Sequence, residues 1–191
     1  MKIACLGWGS LIWKAAELPV ASDWFEDGPS LPIEFAREGD SGELATVICD
    51  GVAEVQVLSA YLAVDTLEEA RDALREREGM PREQPECIGS WPSGPHSPFQ
   101  PRIAAWAAEQ GVDAVVWTAL PPRSGGLNQR MPTAAEALHY LRTLDHERQA
   151  HARNYIRRTP VAIDTEYRRV IAQTFNWQPL PEAQPDLDAS A

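Results

Sequence analysis

A tryptophan flanked by two glycines, directly after an apolar run, constrains this sequence more than any other feature. Residues Lys2 to Leu6 read as a strand, and Gly7-Trp8-Gly9-Ser10 then turns the backbone where bare amides can approach a ligand. Common explanations for such a turn do not match. A dinucleotide fingerprint needs a third glycine where Ile12 stands, and no Gly-Lys-Ser/Thr occurs for a phosphate loop. Ser10 is not at a nucleophile elbow, since both glycines precede it. What remains is a ligand-holding loop or a plain tight turn whose glycines supply positive φ.

At 191 residues the chain suits one domain of ordinary size, able to bury its own core. Cys5, Cys49 and Cys87 are odd in number and far apart, which implies buried free thiols and a reducing compartment. With neither a charged-then-apolar leader nor an apolar run of membrane-spanning length, a cytoplasmic protein without membrane partners is expected. A formal net charge of −11 repels phosphate backbones, so nucleic acid is not an expected partner. Composition leaves the oligomeric state open.

Strands are expected at residues 31–37 and 43–49, joined as a hairpin by the polar turn 38–42, and a long central strand at 53–64, all in one sheet with the first. Thr66 and Glu69 form a capping box that opens a helix with Leu67, Ala70, Ala73, Leu74 and the stem of Arg77 inward, ended by Gly79 and Pro81. Residues 80–100 read as a long loop lying over the site, and 123–128 as a flexible loop. A helix at 101–110, a buried strand at 113–120, a capping box at Thr133 and Glu136, a helical restart through Tyr155 and Ile156, and an amphipathic stretch at 164–175 complete the pattern. The expected architecture is α/β (α+β): one domain over residues 1–178, a mixed sheet or small barrel with flanking helices, and a flexible tail at 179–191.

His146 and His151 are five apart, which on a helix separates them, and no metal-binding spacing occurs, so no metal is expected. Trp106 and Trp117 lie on apolar faces and read as core, whereas Trp8, Trp13 and Trp24 can wall a pocket by the glycine loop. The arginines from Arg153 to Arg169 read as a solvated helix face. Glu78 stands at the end of the helix, directly before Gly79, where the helix dipole disfavours its charged form and suits a proton acceptor. Its plainer reading is an exposed acid paired with arginine at helical spacing.

Gly7-Trp8-Gly9-Ser10-Leu11-Ile12-Trp13 resembles the Tyr-Gly-Ser-Asn/Leu loop of the γ-glutamylcyclotransferase-like family, most closely its ChaC glutathione-degrading branch. Leu74-Arg-Glu-Arg-Glu78-Gly79 is similar to the family's Leu-Asp-x-x-Glu-Gly segment, and the later Pro132-Thr133 helix with Tyr140-Leu141 follows the same order. Two departures stand out. Trp8 replaces the family's tyrosine and loses a hydroxyl, and the proline-rich stretch from Met80 replaces a glycine and a tyrosine.

The resemblance implies a cofactor-independent enzyme that cyclises a γ-glutamyl amine or peptide to 5-oxoproline. Glu78 would be the general acid and base, and backbone amides from Gly7 to Leu11, with the Ser10 hydroxyl and Trp8 as a wall, would hold the substrate. Arg37 is a further candidate for a substrate carboxylate, against a plain ion pair with Glu34, Glu38 or Asp40. The alternatives are a non-catalytic protein that binds a small acid or a protein terminus in the same pocket, and an amide-cleaving enzyme that releases free glutamate.

Overall fold

The computed structural model describes residues 1–181, and the fold is mixed α+β, with two mixed sheets and five helices among those residues. The chain groups into two compact units, neither of them a continuous stretch. No helix among the described residues is long and apolar enough to cross a membrane.

The first unit comprises Met1–Gly7, Ala15–Leu31 and Gln56–Leu120. Its sheet runs β5 (Leu58–Tyr61), β1 (Ile3–Gly7), β7 (Ala114–Thr118), β6 (Ile88–Trp91). β1 and β7 are parallel neighbours, and the outer pairs are antiparallel. As inner strands, β1 and β7 are buried along nearly their whole length, which is why they read as unbroken apolar runs rather than alternating ones. Trp106 and Trp117 are core residues, as expected.

Helix α1 (Leu67–Arg77) starts at the Thr66–Glu69 capping box and buries Ala70 and Leu74. It stops in a Schellman arrangement: Gly79 takes φ +65°, its amide reaches Glu76 O, and Met80 N reaches Arg75 O, both at 3.0 Å. Helix α2 (Gln100–Gln110) ends on Gly111, and both helices pack on β6 and β7.

Two expectations here are corrected. The run at 53–64 is not one central strand, because Glu54 and Gln56 are exposed while continuous burial begins only at Val57. It divides into β4 (Glu54–Gln56), which pairs with β2 in the second sheet, and β5, an edge strand of the first. Phe25 and Ser59 exchange amide bonds of 2.8 and 2.9 Å, so a neighbouring segment covers that edge. The stretch 80–100 is not simply a loop either. It holds a 3-10 turn (Pro85–Cys87) and the strand β6, whose buried pairing with β7 outweighs its weak local propensity.

The second unit comprises Trp8–Lys14, Pro32–Val55 and the chain from Pro121. Its sheet runs β3 (Leu44–Ile48), β2 (Ser30–Glu38), β8 (Arg123–Ser124), β9 (Leu127–Asn128). The expected hairpin is present as β2–β3, with a register shift between Phe35 and Arg37. The expectation of one shared sheet is therefore corrected, since β1 and this hairpin lie in different sheets. The loop 123–128 is a tight hairpin whose Gly125 and Gly126 take φ +59° and +78°, the backbone a two-residue turn requires.

Helices α3 (Ala134–Thr143), α4 (His146–Arg158) and α5 (Glu166–Phe175) are capped at their N-termini by Thr133, Asp145 and Thr165. They bury Ala137, Leu141, Ala152, Ile156 and Ile171 with Phe35, Leu44 and Trp177. The tail expected over 179–191 lies, from residue 182 on, outside the described residues; before that, Leu180 N donates to Arg157 O at 2.8 Å.

Two buried charges organise this unit. Arg168, 2% exposed, belongs to the stretch expected to be a solvated face; instead it donates to the carbonyls of Ile156, Thr159, Pro160 and Ile163 and so satisfies the end of α4. Burial pulls its guanidinium down to about 10. Glu34, also 2% exposed, accepts from Phe35 N at 2.8 Å, Tyr167 N at 3.2 Å and the Thr165 hydroxyl, thereby anchoring the start of α5.

Burial pushes the Glu34 carboxyl above its ordinary value, against the downward pull of those donors. The folded state therefore binds this proton more tightly than the unfolded chain. The stabilising contribution is full below the ordinary value and is lost as pH rises through the raised one. Melting wild type and Glu34→Gln from pH 7 down to pH 4 should show the wild type's advantage widening as pH falls. A gap that does not change with pH would mean that Glu34 is not buried as described.

Candidate functional site

Because the capping box sets where α1 begins and Gly79 where it ends, Glu78 is fixed as the C-cap residue, at φ −79° and ψ −6°. Its side chain is only 14% exposed, so the reading as a freely solvated acid is set aside. Arg77 Nη1 donates to Glu78 Oε1 at 2.7 Å, from a side chain that is itself 8% exposed. The Thr118 hydroxyl donates to the same oxygen at 3.3 Å. Oε2 has no hydrogen-bond partner among the described residues. One oxygen of the carboxylate is thus anchored.

Thr118 locates this carboxylate in the sheet. In the parallel pair Leu6 lies opposite Trp117, so Gly7 and Thr118 are the last residues of β1 and β7. Glu78 therefore sits at the C-terminal ends of the two parallel strands, where open α/β sheets hold their ligands. Cys5 on β1 is near enough to feel it: burial first, and repulsion from Glu78 second, push its thiol up to about 12. Cys49 is likewise pushed up to about 12, chiefly by burial, and all three cysteines are buried thiols outside any disulfide, as expected.

Thr118 was not singled out from sequence, and Arg77 was placed on the inner stripe of the helix without a role beside Glu78. Arg77 merges with a run of alternating arginine and glutamate, and Thr118 is the sole polar residue at the end of an apolar strand. Only the second is a usable signal. The arginine contact differs from the expected one, too. Glu78 pairs with its chain neighbour Arg77, while the helically spaced pair is Arg75 with Asp72 at 2.9 Å.

The glycine loop leaves β1 at Gly7, and neither Gly7 nor Gly9 has positive φ. Each is needed for close approach instead. A Cβ on Gly7 would meet Trp24 Cζ3 at 2.5 Å, and one on Gly9 would meet the Tyr155 hydroxyl at 2.4 Å and Thr46 Oγ1 at 2.7 Å. Beyond them the chain makes a helical turn, with Ile12 N on Gly9 O at 3.1 Å and Lys14 N on Ser10 O at 2.9 Å. That turn uses carbonyls of the loop as acceptors.

The three tryptophans expected to wall a pocket have separate roles. Trp24 covers Gly7. Trp8 is 5% exposed and its indole N–H donates to Thr46 O at 3.3 Å. Trp13 sets its edge against Tyr155, with centroids 5.4 Å apart.

Arg37 closes the end of β2, its Nη1 donating to Pro121 O at 2.8 Å and to Asn128 Oδ1 at 3.4 Å. These contacts tie down the β8–β9 hairpin. Asp40, one of the acids considered for Arg37, pairs with Arg123 at 2.9 Å. Among the described residues no group of three or more His, Cys, Asp or Glu side chains could hold a metal ion. No protein-family model, curated protein or solved structure matches the chain.

Proposed function

We propose that this protein cyclises a γ-glutamyl amine or peptide to 5-oxoproline, with Glu78 as general acid and base. The observation that carries the reading is the asymmetry of the Glu78 carboxylate: Arg77 and Thr118 both bond Oε1, and Oε2 has no hydrogen-bond partner among the described residues. In this reaction Oε2 takes a proton from the substrate's α-ammonium. The freed amine attacks the γ-carbonyl carbon and sheds its second proton to solvent as the ring closes, Glu78 returns the first proton to the leaving nitrogen, and the bond to that nitrogen breaks with release of the amine. The five-membered ring supplies its own nucleophile, so no cysteine or serine is consumed.

The electrostatic part of the proposal rests on the resemblance. Amides of the loop continuing from Gly7 through Leu11, with the Ser10 hydroxyl, bind the glutamyl carboxylate or the oxyanion that forms on the γ-carbonyl. Arg37, whose Nη1 donates to Pro121 O and Asn128 Oδ1, stays a further candidate for a substrate carboxylate.

The test is mass spectrometry of the products from glutathione, γ-glutamyl dipeptides and γ-glutamyl amines incubated with wild-type protein. The proposal expects 5-oxoproline together with the free amine. Free glutamate instead would indicate an amide hydrolase. A second reading, a non-catalytic protein that binds a small acid or a protein terminus, is favoured by the burial of Trp8, whose indole N–H is already used by Thr46. Binding of panel members without any turnover would select it.

A further inference from the structure

Within the second unit, Thr46 contacts the glycine loop and α4 through three of its atoms. Its Oγ1 lies 3.1 Å from Trp8 O and 3.1 Å from the Tyr155 hydroxyl, its N–H points to that same hydroxyl at 3.3 Å, and its carbonyl accepts the Trp8 indole at 3.3 Å. The direction of these bonds follows from their ends. A backbone N–H can only donate and a backbone carbonyl can only accept. Thr46 N–H therefore donates to Tyr155, Tyr155 donates its hydroxyl proton to Thr46 Oγ1, and Oγ1 donates to Trp8 O. Both hydroxyl protons are committed, and the chain of bonds ends on the backbone of the glycine loop.

The Tyr155 oxygen is also what a Cβ on Gly9 would strike, at 2.4 Å, so the hydroxyl rests against the loop's second glycine. Its ring is fixed by edge contacts with Trp13 and Phe35, at centroid separations of 5.4 and 6.5 Å. The loop is therefore held by bonds that begin on β3, pass through α4 and return.

We infer that Tyr155 and Thr46 are positioning residues: their hydroxyl relay sets the conformation of the Trp8–Ser10 backbone, and neither hydroxyl donates to a substrate. For the kinetic consequence this inference rests on the function proposed above, in which the loop's amides bind the developing charge. A loosened loop would then weaken the transition state more than the bound substrate, lowering kcat with KM little changed.

The test compares Tyr155→Phe, Thr46→Val and Thr46→Ser with wild type. Phenylalanine keeps the ring contacts and valine keeps the β-branched shape, so both interrupt the relay with little change of packing, while serine restores Oγ. Amide hydrogen exchange of the peptide spanning residues 7–12 should accelerate about tenfold in Tyr155→Phe and Thr46→Val, the size expected for one lost buried hydrogen bond. It should stay near the wild-type rate in Thr46→Ser. With a γ-glutamyl substrate that the wild type turns over, kcat should fall about tenfold in the first two and recover in the third.

Wild-type exchange in Tyr155→Phe and Thr46→Val would overturn the inference. So would faster exchange in Thr46→Ser equal to that in Thr46→Val, since it would assign the effect to packing. The exchange measurement needs no turnover, so it decides this inference even if the proposed reaction fails. Should Tyr155→Phe not fold, the comparison of valine with serine at position 46 decides it alone.

Discussion

Gly89→Ala should destabilise the protein by about 3 kcal/mol, toward the upper end of the cost of overpacking a closed core. Gly89 on β6 faces Trp117 on β7, and a Cβ there would lie 2.1 Å from Trp117 Cε2 and 2.2 Å from its Nε1. Relief would require the ring to move, but Trp117 is 1% exposed and belongs to an inner strand. The cost is therefore steric rather than conformational, because Gly89 is not among the glycines with positive φ. Urea denaturation of Gly89→Ala, Trp117→Leu and the double variant checks it. The glycine substitution should cost much less once the indole is gone, a coupling expected only of residues in contact. Additive losses would show that the ring does not cover Gly89.

The parts of the fold that were legible in sequence are those whose determinants are local. Thr66 with Glu69 and Thr133 with Glu136 announced α1 and α3 through side chains that bond the first-turn amides of their own helices. Gly79 and Gly111 marked helix ends through left-handed conformations that other residues adopt at a cost. β1 and β7 were legible because an inner strand covered on both faces must be apolar throughout.

What was not legible depends on partners distant in the chain. Ile88-Gly-Ser-Trp91 is a strand because Trp117 packs over Gly89 and β7 offers an unpaired edge, neither of which a window of sequence contains. The split of residues 53–64 between two sheets was partly visible, in the exposed pair Glu54 and Gln56, but the β-branched content outweighed it. Gly125-Gly126 was a two-residue turn signal that was read as mere flexibility.

The site divides in the same way. Glu78 and Gly7 could be named from spacing, because a helix end and a strand end fix their backbone positions. Thr118 and Arg77, which orient the carboxylate, were not assigned that role, since their contacts depend on how α1 lies against β7, although the polar end of an apolar strand at Thr118 was a usable signal. Glu34 and Arg168 were read as surface charges, because composition does not reveal that backbone donors and acceptors await them in the interior.

Glu78→Gln should reduce turnover by about a hundredfold to ten-thousandfold, the range for removing a positioned general acid and base. The substitution suits the question because the glutamine carbonyl keeps the shape of Oε1 and can still accept from Thr118 and Arg77, whereas the amide nitrogen that replaces Oε2 cannot take a proton. The weaker bond to Arg77, whose side chain is 8% exposed, should lower the melting point by a few degrees without unfolding the protein. Loss of the chemical step then appears in kcat, with substrate affinity largely kept.

The most direct measurement is the initial rate of 5-oxoproline formation by wild type and Glu78→Gln at equal concentration, each shown to be folded by circular dichroism, across the γ-glutamyl panel. The account predicts product from the wild type and at most about a hundredth of that rate from the variant. A folded Glu78→Gln protein that forms 5-oxoproline as fast as the wild type would contradict it.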